Sequence, residues 1–278
     1  MPELPEVAAH AERLSDLRGR TLQRVEPLSF AALKTAVPPV DAAVGEVLRG
    51  VGHRGKLLVL DWGPTSHVVH LMQGGRLRPD PKRAARPRSG LLRWVLDDGA
   101  LLLTEAGTER RAGVWAVEGD PTEQPPLDGL GPEADVVARA PDALRQRLAQ
   151  RGGRLHTALR DQQVVAGLGR RLANEVCHRA GVSPFARADG LDDDAAARVA
   201  GAVTDLVAEG LEFERARDDM SASAQRPAAV HRRAGEACAV CGDVVRAVSY
   251  RDYEVDYCAA CQTDGRVLAD NTTSRFLR

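Results

Sequence analysis

The chain has 278 residues and a formal net charge of −1, which is enough length for two domains or three small ones. A balanced charge gives no global attraction to nucleic acid, although local patches matter more than the total. No apolar run approaches the length that spans a bilayer, and the acidic start lacks the apolar core of a secretion signal. Five cysteines, four of them in two C-x-x-C pairs, suit a metal in a reducing compartment better than a disulfide framework. We therefore expect a cytoplasmic protein without membrane contact.

The amino terminus carries the first candidate for chemistry. Because a residue with a small side chain follows Met1, we expect removal of Met1 and a free secondary amine on Pro2. An α-amino group titrates near ~8, so part of it is neutral at physiological pH and can attack an electrophilic carbon to form an iminium. Glu3 beside it could hold or pass a proton. The alternative is an ordinary helix start, with Pro5 in the first turn and Glu6 near the positive end of the helix.

Strand-like segments separated by Gly, Pro and Asp turns follow this first helix. They cover residues 21–25, 47–60, 67–71, 91–103 and 113–117. The pattern predicts an N-terminal β-sandwich capped by the N-terminal helix, forming a domain over residues 1–120. A Pro- and Gly-rich stretch at 119–133 is the predicted interdomain linker.

The pattern then changes to helices. Helices are predicted at 141–150 and 192–210, and between them a short helix, a tight passage at 165–169 and a second helix that ends before Gly181. The buried face of that second helix should include Leu172, Val176, Cys177 and Ala180. Residues 214–227 are polar and show no periodicity, so we expect a mobile loop there.

Two C-x-x-C pairs lie near the end of the chain, with sixteen residues between them. The four residues are Cys238, Cys241, Cys258 and Cys261. This spacing suits tetrahedral thiolate ligation of one Zn²⁺, with Val244 to Tyr257 folded as a hairpin. Four thiolates leave no open position, so the zinc would be structural. The alternative is four unligated buried cysteines.

Two further features have both a functional and a structural interpretation. A Gly167-Leu168-Gly169 turn leads into a helix, where free backbone amides can bind an anion, although a merely close-packed turn is the common case. Lys56 lies in a turn before a strand, where it is either a phosphate ligand or an ordinary exposed lysine.

Several stretches together resemble the formamidopyrimidine-DNA glycosylase and endonuclease VIII (Fpg/Nei) family. They are the start Pro2-Glu3-Leu4-Pro5-Glu6-Val7, the Lys56 turn, His70-Leu71 before Gly74-Gly75, the run from Leu159 to Gly169 with Ala173-Asn174-Glu175, and the cysteine hairpin. The resemblance implies a β-sandwich, a helix-two-turn-helix DNA-binding domain over 134–226 and a zinc-finger β-hairpin over 227–278. It also implies a base-excision-repair DNA glycosylase with AP lyase activity that acts on double-stranded damaged DNA, for which we expect a monomer.

The resemblance also implies roles for particular residues. Pro2 would attack C1′ of the damaged nucleotide to form a Schiff base, and Glu3 and Lys56 would complete the catalytic group. The residues expected to bind DNA are His70, Gln73, Arg110, Arg111, Gly169, Arg170 and Arg251. Glu6 and Glu175 would help to build the site. The damaged nucleotide must leave the base stack before Pro2 can reach it.

The chain departs from the family pattern at several positions. Arg170 stands where the family usually has asparagine, Tyr253 falls near the position of the hairpin arginine, and Ala112 replaces an aromatic wedge. Gln73 occupies the position of a loop methionine. The segment 213–230 does not resemble the loop that covers 8-oxoguanine, which leaves oxidised pyrimidines, abasic sites and hydantoins open as substrates. A DNA-binding paralogue that recognises damage or unusual structure without cutting is the alternative function, and a zinc-ribbon interaction module is a third.

Overall fold

The computed structural model describes residues 1–85, 87–107, 109–221, 225–251 and 253–268. The chain forms two compact units, which are Met1–Gly129 with Arg217–Met220, and Leu130–Ala216 with Ser221–Arg278. The finer boundaries expected from the sequence, at 1–120, 134–226 and 227–278, remain a prediction.

The first helix, α1, spans Leu4–Leu14 and begins as its sequence predicts. Glu3 is the N-cap and forms a capping box with Glu6, in which Glu6 Oε2 accepts the backbone N–H of Glu3 at 3.1 Å. This arrangement supplies partners for amides that the first helical turn would otherwise leave without one. A 3-10 turn over Ser15–Leu17 closes the element, and Gly19 follows with a φ of +86°.

Eight strands follow, and they form two antiparallel four-stranded sheets. The strands are β1 Leu22–Pro27, β2 Gly50–Arg54, β3 Leu57–Asp61, β4 Thr65–His70, β5 Gly75–Pro79, β6 Gly90–Leu96, β7 Ala100–Glu105 and β8 Gly113–Glu118. One sheet has the order β1-β6-β7-β5 and the other β2-β3-β4-β8. Their buried side chains and the inner face of α1 share one core, so the predicted β-sandwich with an N-terminal helix is confirmed.

Strand β5 was missed by the sequence pattern. Its residues Gly-Arg-Leu-Arg-Pro include one large apolar side chain, Leu77, which is fully buried. Among the described strands it pairs with β7 alone and so lies at the edge of its sheet, where charged residues and a final proline are tolerated. Pairing with β7, and not an alternation of apolar and polar residues, therefore makes this segment a strand.

The core of the first unit contains a buried histidine between two tryptophans. The indole N–H groups of Trp62 and Trp94 both donate to His67 Nδ1 at 2.9 Å. His67 Nε2 lies 2.9 Å from the carbonyl oxygen of Val40 and donates to it, because Nδ1 is already an acceptor. The two rings and the imidazole are completely buried.

The second unit is helical in its first part, as predicted. Its helices are α2 Ala134–Val137, α3 Pro141–Arg151, α4 Leu155–Arg160, α5 Arg170–Arg179 and α6 Asp193–Arg215. Asp192 caps α6, since its carboxylate accepts the N–H of Ala195 at 2.7 Å. The predicted buried face of α5 is confirmed, and desolvation raises the pKa of the Cys177 thiol.

Two expectations about the segment after Gly210 were wrong. Helix α6 continues through Gly210, which is buried, and ends at Arg215. Of the predicted mobile loop at 214–227, Met220 is buried in the sandwich core, and Ser221 donates its hydroxyl and amide to Glu214. Residues 222–224 of that segment lie outside the described residues. Long-range packing therefore orders part of a stretch that looks featureless in the sequence.

The end of the described chain is a hairpin of β9 Val245–Ser249 and β10 Glu254–Cys258, followed by a short helix α7 Ala259–Gln262. The predicted hairpin between the two cysteine pairs is confirmed. Within the described residues, no helix has both the length and the apolar character needed to cross a membrane.

Candidate active site and nucleic-acid interface

The amino-terminal candidate site is built on the start of α1. Pro2 is half-buried and directly precedes the capping box, whose two carboxylates on Glu3 and Glu6 are each 4 % exposed. This geometry agrees with both the structural and the catalytic interpretation of the stretch. Glu3 and Glu6 cap the helix, and Glu3 also directly follows Pro2 in the chain. The helix start thus holds a carboxyl group beside the predicted nucleophile.

Lys56 and His70 lie close to this amino terminus. The β3–β4 register pairs Leu57 with His70, which brings the Lys56 turn beside the end of β4. Burial, with smaller contributions from the charges of Lys56 and of the chain's amino group at Met1, lowers the pKa of His70 to about 4. Lys56 is only 5 % exposed, which is rare for a lysine. The fold therefore gathers an amine, a lysine and a histidine that is neutral at physiological pH.

The loop after His70 is tightly folded. His70 Nδ1 accepts the N–H of Met72 at 3.0 Å, and Gly75 donates its N–H to the Leu71 carbonyl at 2.8 Å. A Cβ on Gly75 would lie 2.2 Å from that carbonyl oxygen, so this position has no room for a side chain. Gln73 is exposed between these anchors. The loop thus projects the residue that was predicted to contact DNA.

Arg110 and Arg111 are exposed in the segment before β8. Arg111 forms an ion pair with Glu109 at 2.7 Å, and because both side chains are exposed it stabilises the fold little. Ala112, by contrast, is 1 % exposed and donates its N–H to Glu105 at 2.7 Å. Of these three neighbours, the two arginines are accessible to a ligand and Ala112 is not.

The Gly167–Gly169 turn of the second unit is shaped by a glutamine. Gln162 Oε1 accepts the N–H of Gly167 at 3.0 Å, and its Nε2 donates to the Leu168 carbonyl at 2.9 Å. Gly169 is the N-cap of α5, and Arg170 is the exposed first residue of that helix. The turn is therefore preformed, with a guanidinium at the positive end of the helix.

Glu175 anchors the segment that precedes the hairpin. Its carboxylate accepts three consecutive backbone N–H groups, those of Ala229 at 2.7 Å, Val230 at 3.0 Å and His231 at 2.8 Å. Hydrogen bonds to a buried charged acceptor are among the stronger ones in proteins. In the structure this residue therefore positions the chain that leads to the hairpin.

The four paired cysteines form a metal site. Their Sγ atoms lie within 4.8 Å of one another, with Cys238 and Cys261 separated by 3.9 Å and Cys241 and Cys258 by 3.4 Å. Tetrahedral Zn–S bonds of about 2.3 Å require sulfur separations of roughly 3.8 Å, so the residues fit zinc. His178 Nε2 lies 3.4 Å from Cys238 Sγ and ties α5 to this cluster. The site is structural, because all four positions are taken by thiolates.

The turn of the hairpin contains stacked aromatic rings, of which the sequence pattern drew attention only to Tyr253. Tyr250 and Tyr253 are stacked at 4.7 Å, and the Tyr253 ring is also stacked on His156 at 6.3 Å. The guanidinium groups of Arg160 and Arg170 lie over Tyr253 at 4.5 and 5.6 Å from the ring centre. These contacts join residues far apart in the chain, which periodicity cannot detect; Arg251, which was predicted to bind DNA, is exposed beside them.

Comparison with known proteins then identifies the family. Residues 1–114 match the family model for the formamidopyrimidine-DNA glycosylase N-terminal domain, and residues 130–221 match the model for its H2TH domain. A formamidopyrimidine-DNA glycosylase of Symbiobacterium thermophilum is 33 % identical over 94 % of this chain and 89 % of its own. The chain belongs to the formamidopyrimidine-DNA glycosylase family. The resemblance expected from the sequence is confirmed.

Other members agree with this Fpg assignment. The formamidopyrimidine-DNA glycosylase of Thiobacillus denitrificans is 31 % identical over 94 % of this chain and all of its own. The MutM (Fpg) structure from Thermus thermophilus superimposes with a TM-score of 0.80, at 28 % identity over 94 % of this chain and 98 % of that one. The Lactococcus lactis Fpg structure, with a TM-score of 0.82 and 21 % identity, shows the common fold.

Proposed function

We propose that this member of the Fpg family is a base-excision-repair DNA glycosylase with AP lyase activity, in which Pro2 is the nucleophile. The observation that carries the proposal is the grouping of the amino terminus with Lys56, His70 and the Glu3 carboxyl group in one part of the first unit. A merely structural helix start has no use for a buried lysine beside it. Its relatives named formamidopyrimidine-DNA glycosylase support the same activity.

The proposed reaction begins once Met1 is removed. The Pro2 nitrogen attacks C1′ of the damaged nucleotide, the glycosidic bond breaks, and the departing base takes a proton. The attacking nitrogen loses its proton, Glu3 supplies a proton to O4′ as the C1′–O4′ bond breaks and the sugar ring opens, and the product is an iminium between Pro2 and C1′. The iminium makes a C2′ proton acidic; its removal sends an electron pair to C1′–C2′ and breaks the C3′–O bond. A second elimination then breaks the bond to the 5′ phosphate.

The remaining assignments concern DNA binding and cellular setting. Lys56 and His70 bind phosphates that flank the lesion, and Glu6 holds the start of α1 in place. The exposed residues Gln73, Arg110, Arg111, Arg170 and Arg251, together with the buried helix cap Gly169, contact double-stranded DNA, with the arginines suited to phosphate. Glu175 acts through the segment before the hairpin. Four free thiols gathered for a metal support a cytoplasmic protein, for which we propose a monomer.

Borohydride trapping tests the nucleophile. The iminium with an aldehydic abasic duplex should be reduced to a stable covalent adduct of one protein and one strand. We expect the adduct to be lost when extra residues precede Pro2 and to fall strongly in Pro2→Gly. Pro121→Gly, which changes a proline of the same unit outside this site, should trap like wild type. Undiminished trapping after the amine is blocked would refute Pro2 as the nucleophile.

A non-cutting, damage-recognising DNA-binding protein is the second candidate function. It is favoured by Ala112, which is buried and offers no wedge for a base stack, and by Tyr253, which falls near the position where the family resemblance predicts an arginine. This candidate predicts binding that depends on the lesion and on salt, without adduct or nicking. Nicking by catalytic amounts of protein would eliminate it.

The proposed substrates are oxidised pyrimidines, abasic sites and hydantoins in preference to 8-oxoguanine. The basis is the segment 213–230, which lacks the pattern expected for covering 8-oxoguanine; its residues 222–224 lie outside the described residues. A panel of duplexes carrying one lesion each, assayed at one salt concentration, tests this preference. Faster excision of 8-oxoguanine than of every other lesion would contradict it.

A further inference from the structure

The hairpin turn, the end of α4 and the start of α5 meet around one tyrosine ring. Arg160 is the last residue of α4 and Arg170 the first of α5, and both guanidinium groups lie over Tyr253. The backbone closes the turn through a 2.8 Å hydrogen bond from Tyr250 N–H to the Tyr253 carbonyl. The two arginines are ten positions apart in the sequence, yet one ring fixes both of them.

This arrangement gathers positive charge. The face of an aromatic ring attracts a guanidinium group, and here two such groups lie over one ring. Burial and the charge of Arg160 lower the pKa of His156, stacked on Tyr253, to about 3, so the imidazole under the ring is neutral. Arg170 is exposed, and Arg160 is partly exposed although its Nη1 is buried.

Further aromatic contacts support the Tyr253 ring. Tyr250 is stacked on Tyr253 and accepts a hydrogen bond from Arg154, whose guanidinium also lies 5.3 Å from the centre of the Phe185 ring. Phe185 in turn packs edge-on against the buried Tyr257 of β10. The stack is therefore tied to the interior of the second unit and is suited to hold flexible arginine side chains in fixed positions.

We propose that Arg160 and Arg170, held over Tyr253, form a phosphodiester-binding pair for a DNA strand. Guanidinium groups match the geometry of phosphate oxygens, and two of them held over one ring can bind the same phosphodiester. Tyr253 is the positioning residue, which orders both side chains before the strand arrives and so lowers the entropic cost of binding. The inference rests on the proposed action on DNA and assigns new roles to Arg160 and Tyr253.

The test measures binding to a duplex with one tetrahydrofuran abasic analogue, which has no aldehyde and cannot be trapped or cut. Arg160→Gln and Arg170→Gln should each reduce the slope of log affinity against log salt by about one, as expected for a lost phosphate contact. Arg187→Gln is the matched control, because Arg187 is an exposed arginine of the same unit whose guanidinium group is paired with Asp189. It should leave the slope unchanged.

Tyr253 is tested with two substitutions. Tyr253→Leu should weaken binding roughly 4- to 25-fold, since two cation–π contacts are each worth about 2- to 5-fold. Tyr253→Phe keeps the ring and should bind within about 2-fold of wild type. In the Arg160→Gln, Arg170→Gln double variant, Tyr253→Leu should have little further effect. Zinc content and helical circular dichroism report whether each variant is folded.

Any of three results would refute the proposed phosphate-binding pair. They are an unchanged salt slope in both arginine variants, an equal loss of affinity in Tyr253→Phe and Tyr253→Leu, or no binding of this duplex by the wild-type protein. If Tyr253→Leu loses zinc, that variant is misfolded, and the salt slopes of the two arginine variants then decide whether the proposal holds. Trapping with aldehydic abasic DNA is measured separately. If the proteins bind the analogue with the expected slopes but the wild type forms no adduct, the phosphate-binding role of Arg160 and Arg170 stands. The proposed glycosylase and lyase activity would then be refuted.

Discussion

The pH dependence of the sandwich core follows from the buried His67. Burial lowers its pKa to about 4, against about 6.5 in an unfolded chain, and the hydrogen bond to Val40 only partly opposes this shift. Protonation would place an N–H on Nδ1, where the indoles of Trp62 and Trp94 already donate. The folded state therefore binds the proton less readily than the unfolded state. Its contribution to stability is complete above pH 6.5 and is lost as the pH falls from 6.5 toward 4.

The size of the effect follows from the two pKa values. Each unit of pKa difference corresponds to about 1.4 kcal/mol, so nearly two units of this shift are expressed between pH 7.5 and 4.5, or about 2.5 kcal/mol. His67→Gln keeps an acceptor for the indoles but cannot be protonated. It should cost about 1–3 kcal/mol at pH 7.5 through poorer hydrogen bonds. At pH 4.5 the difference between wild type and variant should shrink by about 2.5 kcal/mol or change sign.

Urea unfolding followed by tryptophan fluorescence measures this difference. All three tryptophans, Trp62, Trp94 and Trp115, belong to the first unit, so their emission reports on the unit that contains His67. Carboxylates and other histidines titrate in both proteins and cancel when the two free energies of unfolding are subtracted. A difference that stays the same within about 0.5 kcal/mol from pH 7.5 to 4.5 would refute this reasoning.

Three further predictions concern the loop, the anchor and the metal. Gly75→Ala should destabilise the first unit by about 2 kcal/mol, because its Cβ meets the Leu71 carbonyl, whereas Gly52→Ala has open space and should be nearly neutral in urea titrations. Glu175→Gln should cost about 2 kcal/mol and speed amide hydrogen exchange at 229–231; unchanged exchange would contradict its anchoring role. Elemental analysis should find one zinc per chain, and its removal by a chelator should abolish the exchange protection of the β9–β10 hairpin.

The local parts of this protein could be predicted from the sequence. The start of α1, the Lys56 turn, the Gly167–Gly169 passage and the zinc hairpin each depend on residues within a few positions of one another. Caps, turns and C-x-x-C pairs are local chemistry, and their spacing alone specifies them. The wrong expectations, by contrast, concern segments whose conformation depends on distant partners, such as β5 at its sheet edge and Met220 in the sandwich core.

The sequence by itself determined the change from strands to helices, the metal ligands and the candidate nucleophile, because motif and periodicity carry that information. Only the tertiary structure decided that Glu175 accepts three amides more than fifty positions away, and that His67 lies between two indoles. The tertiary structure alone also places the guanidinium groups of Arg160 and Arg170 over Tyr253. The physical reason is that such contacts join residues distant along the chain, and their partners are chosen when whole elements pack together.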